Sequence, residues 1–296
     1  MIRPPRLAPG DRVAVVAASG PVPREGFAAG VKRLANRYEL IFDDALFSAQ
    51  GFLAGDDARR AAELDRALAD PTIRAVWHAR GGYGLTRILP ALRLGPPRIV
   101  IGFSDVTALH GALACAGWSS VHGPVLTQLG NLLDDDVNFL VNLLEQPAPP
   151  PAWTELVRVA PGRATGRIVG GNLEVLTRLI GTPWLPPLDG AILALEEVGE
   201  RPYRVDRALT HLAAAGLATR VAGVVVGDLV SCVANATESS ATVEQVIAER
   251  LATWGVPVLR GAPFGHGTRN RAFPLGARVT LDADACRLDF LDGAVT

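Results

Sequence analysis

The chain has 296 residues and a formal net charge of -1, from 29 basic and 30 acidic side chains. This balance excludes the basic surface that nucleic acid or an anionic membrane would require, so we expect neither as a partner. Hydrophobic residues make up 49% of the chain and charged residues 20%. These values are typical of a globular protein, and the length allows two domains.

The expected compartment is the cytoplasm. The first residues lack the apolar stretch and cleavage site of a secretion signal, and no apolar run is long enough to cross a membrane. The three cysteines, Cys115, Cys232 and Cys286, are far apart and odd in number. This pattern favours a reducing compartment over a disulfide framework.

Short apolar runs alternate with helical patterns in the first half of the chain. Strands are predicted at residues 12–17, 73–77 and 98–103, and helices at 24–37, 56–70 and 105–116. The alternation predicts βαβ units around a parallel sheet, in which ligands bind beyond the carboxyl ends of the strands. We expect this α/β domain to span residues 1–145.

A proline-rich segment follows, and we predict that residues 146–164 form a stiff, extended linker. Residues 165–296 are then expected to form a second α/β domain. Its predicted strands lie at 167–169, 191–195 and 221–226, its helices at 172–180, 203–215 and 242–254, and a hairpin at 277–291.

Ser104 lies where the predicted strand 98–103 passes directly into a helix. A serine on such a sharp turn presents its hydroxyl at the edge of the sheet, and the first backbone N–H groups of the helix point towards a developing oxyanion. The alternative is that Ser104 only caps the helix. The glycine-rich loop at residues 80–84 follows another strand. It could bind a phosphate, supply an oxyanion-hole donor or be a plain tight turn.

A serine nucleophile needs a base held by a carboxylate. Of the five histidines, His266 lies between two glycines in a loop, which suits a displayed side chain, while His78 and His122 stay open as alternatives. The carboxylate candidate is Glu196, at the end of a predicted strand, with Glu197 beside it. A salt bridge to a nearby arginine is the alternative role for Glu196. We find no metal-ligand spacing and no cofactor fingerprint, and therefore predict neither a metal nor a cofactor.

Taken together, several segments resemble the LD-carboxypeptidase family of serine peptidases, which also contains the microcin C immunity peptidases. The matching segments occur in the family's order along nearly the whole chain and comprise residues 10–21, 80–84, 101–105, 122–124, 170–173, 195–200, 203–207 and 265–267. The resemblance implies a Rossmann-like N-terminal domain, a smaller α/β C-terminal domain and an active site between them.

The resemblance also implies a Ser–His–Glu triad in which Ser104 is the nucleophile, His266 the base and Glu196 the acid that orients it. Family members commonly have Asp where this chain has Glu197, which leaves open whether Glu197 serves the triad instead. The backbone N–H groups of Gly82 and Asp105 would form the oxyanion hole. The terminal carboxylate of the substrate requires a cation, for which the candidates are Arg80, Arg204 and Arg269.

The family's usual substrate is the muropeptide tetrapeptide, from which terminal D-Ala is removed during peptidoglycan recycling in the cytoplasm. We therefore expect a small peptide substrate and, as for many family members, a homodimer. Two alternatives stay open. One is an immunity peptidase that cleaves a peptide–nucleotide antibiotic, and the other is a non-enzymatic nucleotide-binding module in which Ser104 is only a cap.

Overall fold

The computed structural model of the chain describes residues 1–235 and 241–296. Its first sheet is built from the strands β1 (Arg12–Val16), β2 (Glu39–Ile41), β3 (Ile73–His78), β4 (Ile99–Gly102) and β5 (Ser120–His122). These five strands run parallel in the order β2-β1-β3-β4-β5. The order reverses between β1 and β3, and the carboxyl ends of strands at such a point form the usual ligand crevice of a doubly wound sheet.

Helices cover both faces of this sheet, so its strands are apolar almost throughout. The helices are α1 (Arg24–Leu34), α2 (Asp57–Ala69), α3 (Leu85–Ile88), α4 (Thr107–Cys115), α5 (Leu126–Leu129) and α6 (Asp134–Glu145). Short 3₁₀ turns lie at Asp44–Phe47, Leu89–Ala91 and Ser104–Val106. Two separate apolar clusters form, one on each face, and β1 alternates its side chains between them.

The second sheet is mixed. Its strands are β6 (Val157–Ala160), β7 (Arg163–Asn172), β8 (Ile192–Val198), β9 (Gly223–Val230), β10 (Val258–Arg260), β12 (Arg278–Asp282) and β13 (Arg287–Phe290). The central strands β7, β8, β9 and β10 are parallel, and the remaining strands flank them in antiparallel pairs. The helices α7 (Leu173–Thr177), α8 (Pro202–Ala214) and α9 (Val243–Ala252) complete this half.

The two sheets share chain segments. Strand β11 (Phe273–Leu275) comes from the second half of the sequence but pairs antiparallel with β5 of the first sheet. Phe273 also packs in the aromatic core of the second sheet, against Trp153 and Phe264. Ala294 and Val295 return to the core of the first sheet. Burial of these side chains ties the two halves together.

The predicted α/β class, with a parallel first sheet and a second α/β unit, is confirmed. The predicted strands and helices are present with shifted ends, and the hairpin at 277–291 corresponds to β12 and β13. Residues 146–164, expected to be a linker, contribute β6 and the buried Trp153 to the second sheet. The three-residue strands β2, β5, β10 and β11 were not predicted because they are too short to show a periodicity.

None of the described helices combines the length and the apolar character that a membrane span requires.

Close packing of α1 against α5 yields a stability prediction. An alanine Cβ at position 30 would lie 2.0 Å from the Leu126 carbonyl oxygen, whereas at position 26 of the same helix the nearest atom is 3.4 Å away. We expect Gly30→Ala to lower the free energy of unfolding by about 1–3 kcal/mol through overpacking. The control Gly26→Ala should leave it unchanged or raise it by up to about 1 kcal/mol. Urea denaturation checks both, and equal stability of the two variants would contradict the packing described.

Candidate active site

Ser104 occupies a strained turn at the end of β4. Its φ of 63° lies in the left-handed region, which a non-glycine residue adopts at a cost that surrounding structure must offset. Neither the 3₁₀ turn at Ser104–Val106 nor α4 receives a side-chain cap hydrogen bond. Within the described residues the Ser104 hydroxyl donates no hydrogen bond. The cap interpretation of Ser104 is therefore wrong, and its hydroxyl is available for chemistry.

The glycine loop lies directly against this serine. A Cβ on Gly81 would lie 2.9 Å from the Ser104 Cβ and 3.0 Å from its Oγ, so only glycine permits this approach. Gly82 lies in the left-handed region, with a φ of 114°. In the part of the chain that the structure describes, the backbone N–H groups of Gly82 and Asp105 have no hydrogen-bond acceptor. These N–H groups are thus free to bind an oxyanion.

The Asp105 carboxylate joins the loops that surround Ser104. It is buried and accepts hydrogen bonds from the Ser19 hydroxyl (2.6 Å), after β1, and from the Leu85 N–H (2.9 Å), after β3. Burial raises the pKa of Asp105. The side chain therefore ties the carboxyl ends of three neighbouring strands to one another. The sequence indicates a role only for the backbone of Asp105, because the partners of its side chain are remote in the chain.

Glu196 and His266 form a pair in which the carboxylate is buried and the imidazole is partly exposed. Glu196 is 0% exposed, and its Oε2 accepts a hydrogen bond from His266 Nδ1 at 2.7 Å. The imidazole also packs on Phe103, the residue before Ser104, with 4.6 Å between ring centroids. The structure records no hydrogen bond between Ser104 and His266, both of which lie in the described part. In ligand-free enzymes such contacts are often long and shorten when substrate binds.

Glu197 points the other way, as adjacent residues of a strand do. Its carboxylate accepts hydrogen bonds from the Asn172 side chain (2.9 Å) and from the N–H groups of Glu174 (2.8 Å) and Val198 (2.8 Å). Burial raises the pKa of Glu197 to about 6. The acid that contacts His266 is thus Glu196, while Glu197 anchors the N-terminus of α7.

A cavity of about 340 Å³ opens at Ser104 and is called the serine cavity below. Loop residues after β3 and β4 form one wall, and α7 and the end of β8 form the other. Its lining residues are Gly82, Tyr83, Thr86, Ser104, Asp105, Asn172, Glu174, Val175, Arg178, Glu197, Val198 and Glu200. Arg178 is the single basic residue in this lining, so the wall is predominantly acidic. Arg178 and Glu200 were not predicted as site residues, because nothing in the local sequence distinguishes them from surface charges.

None of the three arginines expected to bind the substrate's carboxylate lines the serine cavity. Arg80 is exposed and donates to the Pro21 carbonyl. Arg204, on α8, lies 3.5 Å from the Glu200 carboxylate. Arg269 pairs at 2.9 Å with Asp136, whose side chain is fully buried. Within the described residues, Arg80 is the one member of this set that makes no ion pair.

The alternative bases do not meet a carboxylate. His78 and His122 are fully buried, and their ring nitrogens find no partner among the described residues. Burial lowers the pKa of His78 to about 3 and that of His122 well below its usual value. Both rings are therefore neutral core residues. No three His, Cys, Asp or Glu side chains of residues 1–235 and 241–296 lie close enough together to hold a metal ion.

The site can therefore present a hydroxyl, two free N–H groups and a carboxylate-bound imidazole around one cleft. An arrangement of this kind is suited to acyl transfer.

Comparison with known proteins agrees with this chemistry. The putative carboxypeptidase of Synechocystis sp. is 40% identical, over 98% of this chain and 97% of that protein. The murein tetrapeptide carboxypeptidase of Pseudomonas aeruginosa is 33% identical, over 80% of this chain and 81% of that protein. A solved structure of the microcin C7 self-immunity protein MccF, in complex with aspartyl sulfamoyl adenosine, has a TM-score of 0.89 over 100% of both chains. At 23% identity this likeness shows the fold alone.

Both halves of the chain also match family models. Residues 13–123 match the LD-carboxypeptidase N-terminal domain, and residues 165–281 match the LD-carboxypeptidase C-terminal domain. The chain therefore belongs to the LD-carboxypeptidase family and is a peptidase.

Proposed function

We propose that this protein is a serine-type LD-carboxypeptidase that removes the terminal D-Ala from the tetrapeptide L-Ala-γ-D-Glu-meso-diaminopimelyl-D-Ala. The observation that carries the proposal is the hydrogen bond from His266 to the fully buried Glu196, beside the strained Ser104 turn. The substrate assignment is supported by the similarity to a murein tetrapeptide carboxypeptidase.

In the proposed mechanism, Glu196 accepts the Nδ1–H of His266 and so leaves Nε2 as the proton acceptor. Nε2 takes the Ser104 proton as Oγ bonds to the scissile carbonyl carbon. The N–H groups of Gly82 and Asp105 stabilise the resulting oxyanion. The C–N bond then breaks, and the imidazolium donates its proton to the amine of the departing D-Ala.

Hydrolysis of the acyl-enzyme reverses these roles. Water gives a proton to Nε2 as its oxygen attacks the ester carbonyl, and the imidazolium then returns that proton to Ser104 as the C–Oγ bond breaks. We assign recognition of the terminal carboxylate to Arg80. This residue is the first of the glycine-rich loop, and its guanidinium makes no ion pair within the described residues, whereas Arg204 and Arg269 already face carboxylates.

The acidic wall of the serine cavity supports a muropeptide over a nucleotide-bearing antibiotic. Glu174 and Glu200 line the cavity. They would attract the ammonium group at the zwitterionic end of diaminopimelate, whereas a phosphate offers them no cation. The nucleotide-binding module would leave Ser104 only a capping role, and the absence of a side-chain cap hydrogen bond at the 3₁₀ turn Ser104–Val106 argues against it. The three cysteines form no disulfide, which agrees with action in the cytoplasm. The homodimer implied by the family stays part of the proposal.

The first prediction concerns the nucleophile. Ser104→Ala should lower D-Ala release from the tetrapeptide by at least about 1,000-fold, because members of a triad act as a unit. The matched control is Ser231→Ala, since Ser231 is also a serine in the left-handed region, with a φ of 54°. It should keep wild-type activity. Chromatographic detection of free D-Ala provides the measurement, and wild-type rates in Ser104→Ala would exclude Ser104 as the nucleophile.

A second prediction separates the two adjacent acids. Glu196→Gln preserves the shape of the side chain but no longer holds the required imidazole tautomer. We therefore expect kcat to fall by about 10³–10⁴-fold with little change in KM. Glu197→Gln should act mainly on KM and change kcat by less than about tenfold. Steady-state kinetics on the tetrapeptide checks this split. A larger kcat loss in Glu197→Gln than in Glu196→Gln would transfer the triad role to Glu197.

A third prediction addresses the immunity alternative. Wild-type protein should release D-Ala from the tetrapeptide and leave aspartyl sulfamoyl adenosine intact under the same conditions, since the acidic wall disfavours the nucleotide portion. Parallel assays with mass-spectrometric detection compare the two compounds. Cleavage of the nucleotide compound alone would replace the muropeptide assignment with the immunity function.

A further inference from the structure

A second cavity, of about 220 Å³, adjoins the serine cavity. Its lining contains three arginines, Arg178, Arg204 and Arg207, together with Glu174, Thr177, Ala208 and His211. We call it the arginine cavity. Glu174 and Arg178 line both cavities, so the two lie side by side.

The geometry of α8 explains why these side chains meet at the arginine cavity. Arg204, Arg207 and His211 recur on α8 at spacings of three and four residues, which places them on one face. The opposite face of α8 packs its apolar side chains, including Leu209 and Leu212, into the core. Arg178 follows α7, across the cavity from α8. The cationic lining is therefore produced by two helices held in place by the core.

The positive charge of the arginine cavity is only partly compensated. Arg178 pairs with Glu174, and Arg204 lies 3.5 Å from Glu200. Arg207 makes no ion pair within the described part of the chain, and its guanidinium lies 5.3 Å from the centre of the Tyr203 ring. An arginine of this kind can still form a forked pair with a carboxylate. The arginine cavity thus keeps one guanidinium, that of Arg207, for which the described residues provide no carboxylate, and it can bind an anion.

We propose that the arginine cavity is a subsite for the free α-carboxylate of the γ-linked D-Glu residue, an inference that rests on the proposed function. The leaving side of the scissile bond carries a single D-Ala and needs little room. The acyl side carries diaminopimelate and then D-Glu, within about 7–10 Å of the scissile carbonyl in an extended peptide. The ammonium group of diaminopimelate then faces the acidic serine cavity, and the D-Glu carboxylate faces Arg207.

Two forms of the tetrapeptide test this subsite: the acid form and the form in which the D-Glu α-carboxylate is amidated to D-isoglutamine. For wild-type protein, kcat/KM should be about fivefold higher on the acid form, the size expected of one exposed charge pair. Arg207→Gln should remove this preference by raising KM for the acid form only. The control Arg158→Gln, at an exposed arginine paired with Asp284, should leave the preference intact. Equal effects of Arg207→Gln on both forms would overturn the subsite.

Calorimetry separates failure of the subsite from failure of the proposed function. The probes are the tripeptide product L-Ala-γ-D-Glu-meso-diaminopimelate and its amidated counterpart, neither of which requires turnover. Wild-type protein could release no D-Ala and yet bind the acid tripeptide more tightly than the amidated tripeptide. If Arg207→Gln abolishes this difference in affinity, the subsite stands and the proposed function falls. If D-Ala is released but amidation changes neither turnover nor binding, the proposed function stands and the subsite is wrong. Absence of both effects overturns both.

Discussion

A carboxylate that no solvent reaches must be paired with a hydrogen-bond donor, and Glu196 imposes this requirement on the site. Its partner is His266, in a loop 70 residues further along the chain. A Cβ on Gly265 would lie 3.2 Å from the Glu196 side chain, and Gly267 donates its N–H to Asp228 at 3.0 Å. The glycines beside His266 thus let the loop pack closely on β8 and β9. This pairing sets the orientation of the imidazole.

The second constraint acts on the serine. A left-handed conformation at Ser104 persists only because its surroundings hold it. A Cβ on Gly102 would lie 2.8 Å from the Val106 side chain, so the turn from β4 into the helix is tight. The Asn172 N–H donates to the Thr107 hydroxyl at 2.9 Å, which joins the end of β7 to the start of α4. The two halves of the protein therefore meet at the nucleophile.

Acidic and basic side chains are unevenly distributed between the serine cavity and the arginine cavity. Glu200 borders only the serine cavity and Arg204 and Arg207 border only the arginine cavity, while Glu174 and Arg178 border both. A zwitterionic peptide chain with alternating charges is complementary to such a surface. If the peptide bound in the reverse direction, its charges would lie next to side chains of the same sign. A distribution of this kind contributes more to the choice and direction of a substrate than to raw affinity.

The sequence by itself determined the α/β class, the position of Ser104 after a buried strand and the display of His266 between glycines. These features depend on local signals, namely hydrophobic periodicity and turn residues. The tertiary structure decided which of two adjacent acids meets the imidazole, that β11 crosses to the first sheet and that Arg178 and Arg207 face a cavity. Those outcomes depend on how remote elements pack. Neighbouring residues on a strand point to opposite faces, and only the packing of the second sheet shows which face of β8 lies towards His266.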